Sequence, residues 1–242
     1  CLSRGLGDVY KRQVGYNALS TNTTGNYNTA VGYGALSSNT DGPSNTALGR
    51  HALYANTTGS SNLAFGNNAL ASNTSGNSNE AFGVNALYSN TTGSNNLASG
   101  SRALRNNTTG DYNIASGYKA GEVITTGSNN IIIGYEAEPS ANDASNQIVI
   151  GKGATGQADN SVTLGNADVT AIYMAQDSGA TVYAEGLNLG GTSVSSTAAE
   201  LNLLDGGTSV GSSITVANAD GIIINDNGTM TVSYTHLRAH ET

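Results

Sequence analysis

The chain has 242 residues, of which 32 are glycine and only 11% are charged, and its formal net charge is −8. Nucleic acids and anionic membrane surfaces attract basic proteins, so this acidic composition argues against either as a partner. The sequence contains no run of eighteen apolar residues, and no segment is expected to insert into a membrane.

The two terminal segments, residues 1–13 and 232–242, do not follow the pattern of the rest of the chain. Both resemble translated sequencing-adapter DNA: one choice of codons for residues 232–242, read as its reverse complement in another frame, encodes residues 3–12. We therefore treat both segments as adapter-derived artefacts and leave them out of the prediction of the fold. The remaining residues are expected to be a fragment, and they carry five basic and fifteen acidic side chains, a formal charge of −10.

Residues 14–166 repeat with a fixed period. Glycine recurs every seventeen residues, at Gly15, Gly32, Gly49, Gly66, Gly83, Gly100, Gly117, Gly134 and Gly151. A constant period of this length predicts a solenoid, in which each repeat forms one coil and stacks on the next. The recurring glycine predicts a bend or a close backbone approach at which a Cβ atom would clash.

Each repeat contains two apolar stretches and one turn. The alternating run before the glycine, as in Thr46-Ala47-Leu48, predicts a short strand with one buried face. A second apolar pair, as in Ala35-Leu36, predicts another short strand or edge of the same coil. The phrase Asn-Thr-Thr-Gly, as at residues 56–59, suits a type I turn. Glu80 occupies a strand position that elsewhere holds Leu63, which indicates that this column of side chains is partly exposed.

The last repeats carry a sharper motif. Asn-x-Ile-x-Ile-Gly or a close variant occurs at residues 129–134, 146–151 and 160–165, and the last glycine spacing is fourteen. Here the sequence resembles the head repeats of YadA-type trimeric autotransporter adhesins. This resemblance covers residues 14–166, and it implies a left-handed parallel β-roll, three chains side by side, and surface adhesion. Each coil has only three or four apolar side chains, and so thin a core also favours oligomerisation.

The later residues differ in pattern. Residues 167–189 predict a short β segment with two or three strands around a turn at 177–179. Within residues 190–231, a capping box at 197–200 predicts a short helix near 197–205. The phrase at 197–206, Thr-Ala-Ala-Glu-Leu-Asn-Leu-Leu-Asp-Gly, resembles one found in phage tail fibres. Apolar runs at 214–216 and 221–224, with a turn at 225–228, predict a final hairpin-like β segment.

No arrangement of residues predicts catalysis. His51, the one histidine between the terminal segments, is interpreted as a solvent-facing substitution, because its column holds Asn17, Gly34, Asn68 and Asn85 in other repeats. Asp220 and Asp226 lack the ligand spacing of a calcium loop. We therefore expect no enzyme activity, no cofactor and no metal site.

Six tyrosines are the candidate surface-binding residues, because aromatic rings near asparagine and threonine can bind a glycan or a host surface protein: Tyr16, Tyr33, Tyr54, Tyr88, Tyr118 and Tyr135. The alternative, which is favoured, is that these rings cover the thin core or pack between chains.

These observations predict an all-β chain: a parallel β-solenoid of 17-residue coils, then a small β-rich segment with one short helix, assembled as a homotrimer. The tail-fibre phrase favours a structural and adhesive segment of a phage tail fibre, located in the virion, with a host-surface glycan or protein as possible partner. The first alternative is the head of a bacterial trimeric adhesin at the cell surface. A stacked column of threonines in the turns raises a second alternative, an ice-binding solenoid.

Overall fold

The computed structural model describes residues 11–172 and four later strands at 187–189, 192–194, 222–226 and 229–233. The chain divides into two units, Cys1–Ile172 and Tyr173–Thr242. All regular elements along the described residues are strands. The helix predicted near 197–205 lies outside the described residues.

Ten short strands of the first unit form one parallel sheet in chain order: β1 (Lys11–Val14), β2 (Asn28–Val31), β3 (Thr46–Leu48), β4 (Leu63–Phe65), β5 (Glu80–Phe82), β6 (Leu97–Ser99), β7 (Ile114–Ser116), β8 (Ile131–Ile133), β9 (Gln147–Ile150) and β10 (Ser161–Leu164). Each strand pairs with the residues seventeen positions further on, as Ala47 does with Ala64. The last step is fourteen, from Val149 to Thr163. The predicted parallel β-solenoid is confirmed.

The strands are buried on one face only. Their central residue points into the coil and is alanine in β2 to β7, as at Ala47, Ala64 and Ala81, all fully buried. The two flanking residues point outward, because successive side chains of a strand alternate between its faces. Alanine lets the opposite wall of the coil approach closely, which explains why so short a repeat can enclose a dry core.

The second apolar pair does not form a strand, so the strand alternative of the prediction is wrong, and the pair lies in a buried turn segment of the coil. Ala35 and Leu36 are fully buried in a turn segment, and Leu36 has a φ of 51°. A leucine in the left-handed region is strained. Two interactions offset that strain: the side chain fills the coil interior, and the Leu36 N–H donates to the Ala52 carbonyl of the next coil at 3.0 Å. The same geometry recurs at Leu53, Leu70, Leu87 and Leu104.

The first residue of the Asn-Thr-Thr-Gly phrase faces the interior and forms a ladder. Asn56 Nδ2 donates to Asn39 Oδ1 of the preceding coil at 2.7 Å and to the Gly59 carbonyl at 2.9 Å. The Gly59 N–H bonds to Thr74 of the next coil, so the segment is tied to its neighbour. The type I turn predicted from this phrase therefore misses the main role of its asparagine, which is a buried contact between coils. The ladder consists of Asn22, Asn39, Asn56, Asn73, Asn90 and Asn107.

A second column of buried amides precedes the strands. Asn45 Oδ1 accepts the backbone N–H of Asn62 at 2.9 Å, and Asn45 Nδ2 donates to the Gly59 carbonyl at 2.8 Å. Gln147 continues this column at its C-terminal end, where the Gln147 N–H donates to Asn130 Oδ1 at 3.0 Å. Since buried polar groups are costly when unpaired, these pairings allow a core that contains fourteen buried amide side chains within residues 11–172.

The recurring glycine behaves as predicted. Gly32 has a φ of 137°, and the φ angles of the equivalent glycines in the other 17-residue coils lie between 130° and 144°. A Cβ atom on Gly15 would lie 2.5 Å from the carbonyl oxygen of Gly32, so the coils stack too closely there for any side chain.

One coil exchanges its core residues. Gly121 replaces the buried leucine, and Ile124 replaces the ladder asparagine and is fully buried. A Cβ atom on Gly121 would lie 3.2 Å from Leu104 Cδ2 and 3.3 Å from Ile124 Cδ1, so the isoleucine reaches the space the leucine would use. The exchange ends the ladder: Asn107 Oδ1 has no hydrogen-bond partner.

The second unit contains two antiparallel strand pairs, β11 (Leu187–Leu189) with β12 (Thr192–Val194), and β13 (Ile222–Asp226) with β14 (Thr229–Ser233). The second pair forms a hairpin near the hairpin-like β segment that the runs at 214–216 and 221–224 predicted. Its register places Asp226 opposite Thr229. Its return strand extends into the segment attributed to the adapter. The turn at 177–179 and the run at 214–216 lie outside the described residues.

Candidate functional sites: an apolar sheet face and a tyrosine surface

The outward residues of the parallel sheet form two columns that are mostly apolar. The column after the central alanine contains Val31, Leu48, Phe65, Phe82, Ser99, Ser116, Ile133, Ile150 and Leu164. Leu48, Ile133 and Ile150 retain 42%, 38% and 38% of their accessible surface. The Phe65 and Phe82 rings stack with centroids 5.6 Å apart. We call these two columns the sheet face.

The column before the central alanine completes the sheet face. It contains Thr29, Thr46, Leu63, Glu80, Leu97, Ile114, Ile131, Ile148 and Val162. Glu80 is exposed there, as predicted from its position in the column. Because identical registers stack coil upon coil, the sheet face is a long, mostly apolar strip, interrupted by Ser99, Ser116 and Glu80, and exposed apolar patches often mark interaction surfaces.

The six candidate tyrosines lie in two columns of the solenoid. Tyr16, Tyr33, Tyr118 and Tyr135 directly follow the bend glycine, whereas Tyr54 and Tyr88 lie four residues further along. The Tyr16 and Tyr33 rings stack at 5.5 Å, and the Tyr118 and Tyr135 rings stack at 5.3 Å. All six are exposed, so packing within the coil does not account for them.

His51 joins one of these aromatic groups. Its ring centroid lies 5.3 Å from Tyr33 and 4.9 Å from Tyr54, with the ring planes tilted by 56° and 58°. The interpretation of His51 as a solvent-facing substitution therefore misses that its side chain is half-buried and contacts two tyrosine rings. The seventeen-residue spacing carried the signal, since Tyr33 and His51 differ by one period plus one residue.

Charged side chains gather on the C-terminal coils. Lys119 Nζ lies 3.4 Å from Glu136 Oε1, and Arg105 lies 3.6 Å from Glu122. Glu138 occupies the place of the buried leucine, and burial raises its pKa to about 7. The hydrogen bond from the Val123 N–H lowers that pKa, and the nearby Glu122 carboxylate raises it.

The threonines of the turns do form a column, but their hydroxyls are engaged. Thr57 Oγ1 donates to the Thr74 carbonyl at 3.0 Å, and Thr74 Oγ1 donates to the Thr91 carbonyl at 3.0 Å. Asp41 interrupts the adjacent row and accepts a hydrogen bond from the Thr24 hydroxyl, the main cause of its lowered pKa. A row of hydroxyls committed to the backbone and broken by a carboxylate is a poor match for an ice lattice.

In the described residues, no three His, Cys, Asp or Glu side chains are grouped as a metal site. Nor does this part of the chain contain a helix long and apolar enough to cross a membrane. No protein-family model matches the chain, and neither the curated proteins nor the solved structures contain a match to it.

Proposed function

We propose that this chain is a structural and adhesive segment of a phage tail fibre, in which three copies assemble into a stiff rod for host attachment. The sheet face is the observation that supports the proposal. A coil with an alanine-lined interior buries little apolar surface itself, and the exposed strip outside it is the place where further apolar burial is available.

Assembly through the sheet face explains the distribution of side chains along it. The column with Phe65 and Phe82 contains no charged residue between Val31 and Leu164 and forms the centre of the proposed contact. The column with Glu80 lies toward the solvent rim, where a carboxylate remains hydrated. Three copies related by a three-fold axis close a ring, so that each strip is covered and no open filament results.

The attachment role follows from geometry rather than catalysis. Parallel coils at about 4.8 Å spacing make a rod whose length is set by the number of repeats. Three chains display each surface group three times, and such repetition turns weak contacts into firm attachment through avidity. On this proposal the chain has no enzyme activity and its location is the virion.

The first alternative is the head of a bacterial trimeric adhesin, which the motif at 146–151 supports equally well. The phrase at 197–206 favours the phage. Genes flanking the coding sequence separate the two: capsid and tail genes support the tail fibre, and a downstream membrane anchor supports the adhesin.

Sedimentation velocity on the full chain tests the assembly. The expected mass is three times 24.4 kDa. Ile133→Glu, in the centre of the sheet face, is expected to shift the protein to monomer, because a carboxylate buried between apolar partners is strongly unfavourable. Thr126→Glu, on an exposed turn, is the matched control and is expected to remain trimeric. A folded wild-type monomer, or an Ile133→Glu variant that still forms trimers, contradicts the proposal.

A further inference from the structure

Two shallow depressions flank the His51 and Tyr54 rings. One has a volume of about 270 Å³ and extends from this pair to Asn68, Ser72 and Tyr88. The other has a volume of about 280 Å³ and extends to Tyr33, Ser38 and Asn17. The two share His51 and Tyr54 as a common wall, and we call the whole surface the His51 groove.

The groove depends on a missing side chain at Gly34. A Cβ atom at this position would lie 2.8 Å from His51 Cδ2 and 3.4 Å from Tyr54 Cδ2. The equivalent position holds Asn68, Asn85 and Arg102 in later coils, all with the same left-handed backbone. Conformation alone therefore does not require glycine here, and its effect is to let the His51 ring lie across the neighbouring coil.

The lining offers exposed ring faces beside free polar groups. Tyr33 and Tyr54 retain 50% and 45% of their accessible surface. Within residues 11–172, the side chains of Asn17, Ser38 and Ser72 are not among those that form hydrogen bonds. No Asp, Glu, Lys or Arg side chain lines either depression.

We propose that the His51 groove binds a neutral saccharide, with one sugar ring in each depression; the proposal deepens the attachment role above and rests on it. An aromatic face carries negative charge density and attracts the C–H groups of a sugar ring, while serine hydroxyls and asparagine amides bond to sugar hydroxyls. The depressions are smaller than the roughly 300–1,000 Å³ of sites for larger ligands. Because neither lysine nor arginine lines the groove, a neutral sugar is a better match for it than a phosphate, sulfate or carboxylate.

The Tyr118–Tyr135 pair provides an internal contrast. Its rings stack as those of Tyr16 and Tyr33 do. However, Lys119 Nζ lies 5.5 Å from the centre of the Tyr118 ring and forms an ion pair with Glu136. An aromatic face already covered by an ammonium group is not available to a sugar.

The test is binding of the full chain to an array of neutral and anionic oligosaccharides, followed by calorimetric titration of the best neutral ligand. Tyr54→Ala and Gly34→Asn are each expected to weaken binding about tenfold or more, by removing the shared wall or displacing His51. Gly34→Asn should fold, because asparagine occupies the same backbone conformation at Asn68, and circular dichroism checks this. Tyr118→Ala is the matched control and is expected to bind as wild type.

Absence of any neutral ligand, binding of anionic saccharides only, or equal loss in Tyr118→Ala overturns the inference. Sedimentation of the same samples distinguishes a failure of the saccharide proposal from a failure of the trimer proposal. A trimer that binds no neutral saccharide refutes the groove alone, whereas a monomer that binds one refutes the trimer alone.

Discussion

Replacing Asn73 by alanine breaks the buried asparagine ladder in the middle of the solenoid. Asn73 Nδ2 donates to Asn56 Oδ1 at 2.8 Å and to the Gly76 carbonyl at 3.0 Å. Asn73 Oδ1 accepts from Asn90 Nδ2 at 2.8 Å. All three asparagines are fully buried, so water cannot replace the lost bonds.

The magnitude follows from the partners left unpaired. The Gly76 carbonyl keeps a bond from Asn62 Nδ2 at 2.8 Å and stays satisfied. Asn56 Oδ1 loses its ladder donor, and one hydrogen of Asn90 Nδ2 loses its acceptor. Two buried polar groups left unpaired, at about 1–3 kcal/mol each, predict a loss of about 2–6 kcal/mol in the free energy of unfolding.

Asn107→Ala is the matched control because the ladder ends there. Asn107 donates to Asn90 Oδ1 at 2.8 Å, but its own Oδ1 has no partner. The substitution leaves Asn90 Oδ1 without its donor, but it also removes Asn107 Oδ1, which was already unpaired. The chemistry of the change is the same as at Asn73, yet the expected loss is only about 0.5–1.5 kcal/mol.

Urea unfolding followed by circular dichroism measures both losses. Protein concentration is held constant, because assembly of copies makes apparent stability depend on it. Midpoints are compared as well as extrapolated free energies, since a repeat array can unfold in stages. Equal losses in the two variants, or a loss below about 0.5 kcal/mol for Asn73→Ala, would refute the reasoning that the ladder bonds stabilise the solenoid.

Three further outcomes are expected from the same unfolding assay. Gly66→Ala places a Cβ against the Gly83 backbone and should lower the free energy of unfolding by about 4 kcal/mol or more. A Cβ at Gly153 would have nothing within 4 Å, so Gly153→Ala should lower it by only about 1–2 kcal/mol. Similar losses in the two variants would contradict the argument that the coils stack too closely at Gly66 for a side chain. Gly121→Leu and Ile124→Asn should each destabilise the chain alone but compensate for each other when combined. A double-mutant cycle should therefore give a coupling energy of about 1–3 kcal/mol, and strictly additive losses would disprove the exchange. Glu138 holds its proton more tightly when folded, so the free energy of unfolding should fall as pH rises from about 4.5 to about 7, and Glu138→Gln should remove this part of the slope. A slope unchanged in Glu138→Gln would assign it to other groups.

The repeat made the coil predictable because each prediction depended on spacing alone. The period placed strands β2 to β10 and every bend glycine, and the change to fourteen at Gly165 located the shorter last step, whereas β1 lies mostly in the segment that was left out of the prediction. The strand alternative for the Ala-Leu pair was wrong, and the burial of the turn asparagine was not predicted, for a common reason. A short apolar pair is compatible with a strand and asparagine is typical of turns, but neither pattern shows that stacking holds Leu36 at positive φ and Asn39 in the interior.

The candidate site was predicted in part. The six tyrosines were identified from residue type, but their grouping was not, because stacking depends on which coil lies next to which. His51 was set aside because its column holds asparagine or glycine in other repeats. The contacts with Tyr54 of its own repeat and Tyr33 of the preceding coil, together with the missing side chain of Gly34, give it a role in the groove.

The sequence by itself determined the solenoid, its period and the position of each side chain in a column, because a fixed repeat permits only one register in which glycine lies on glycine. Tertiary structure alone decided which polar side chains are buried in the coil interior and which apolar side chains remain exposed to solvent. A buried amide is acceptable only when the coils above and below supply its partners, as they do for Asn73. Likewise, the sheet face becomes a strip only after coils stack, since three apolar residues in one repeat do not form a surface until the next repeat lies beside them.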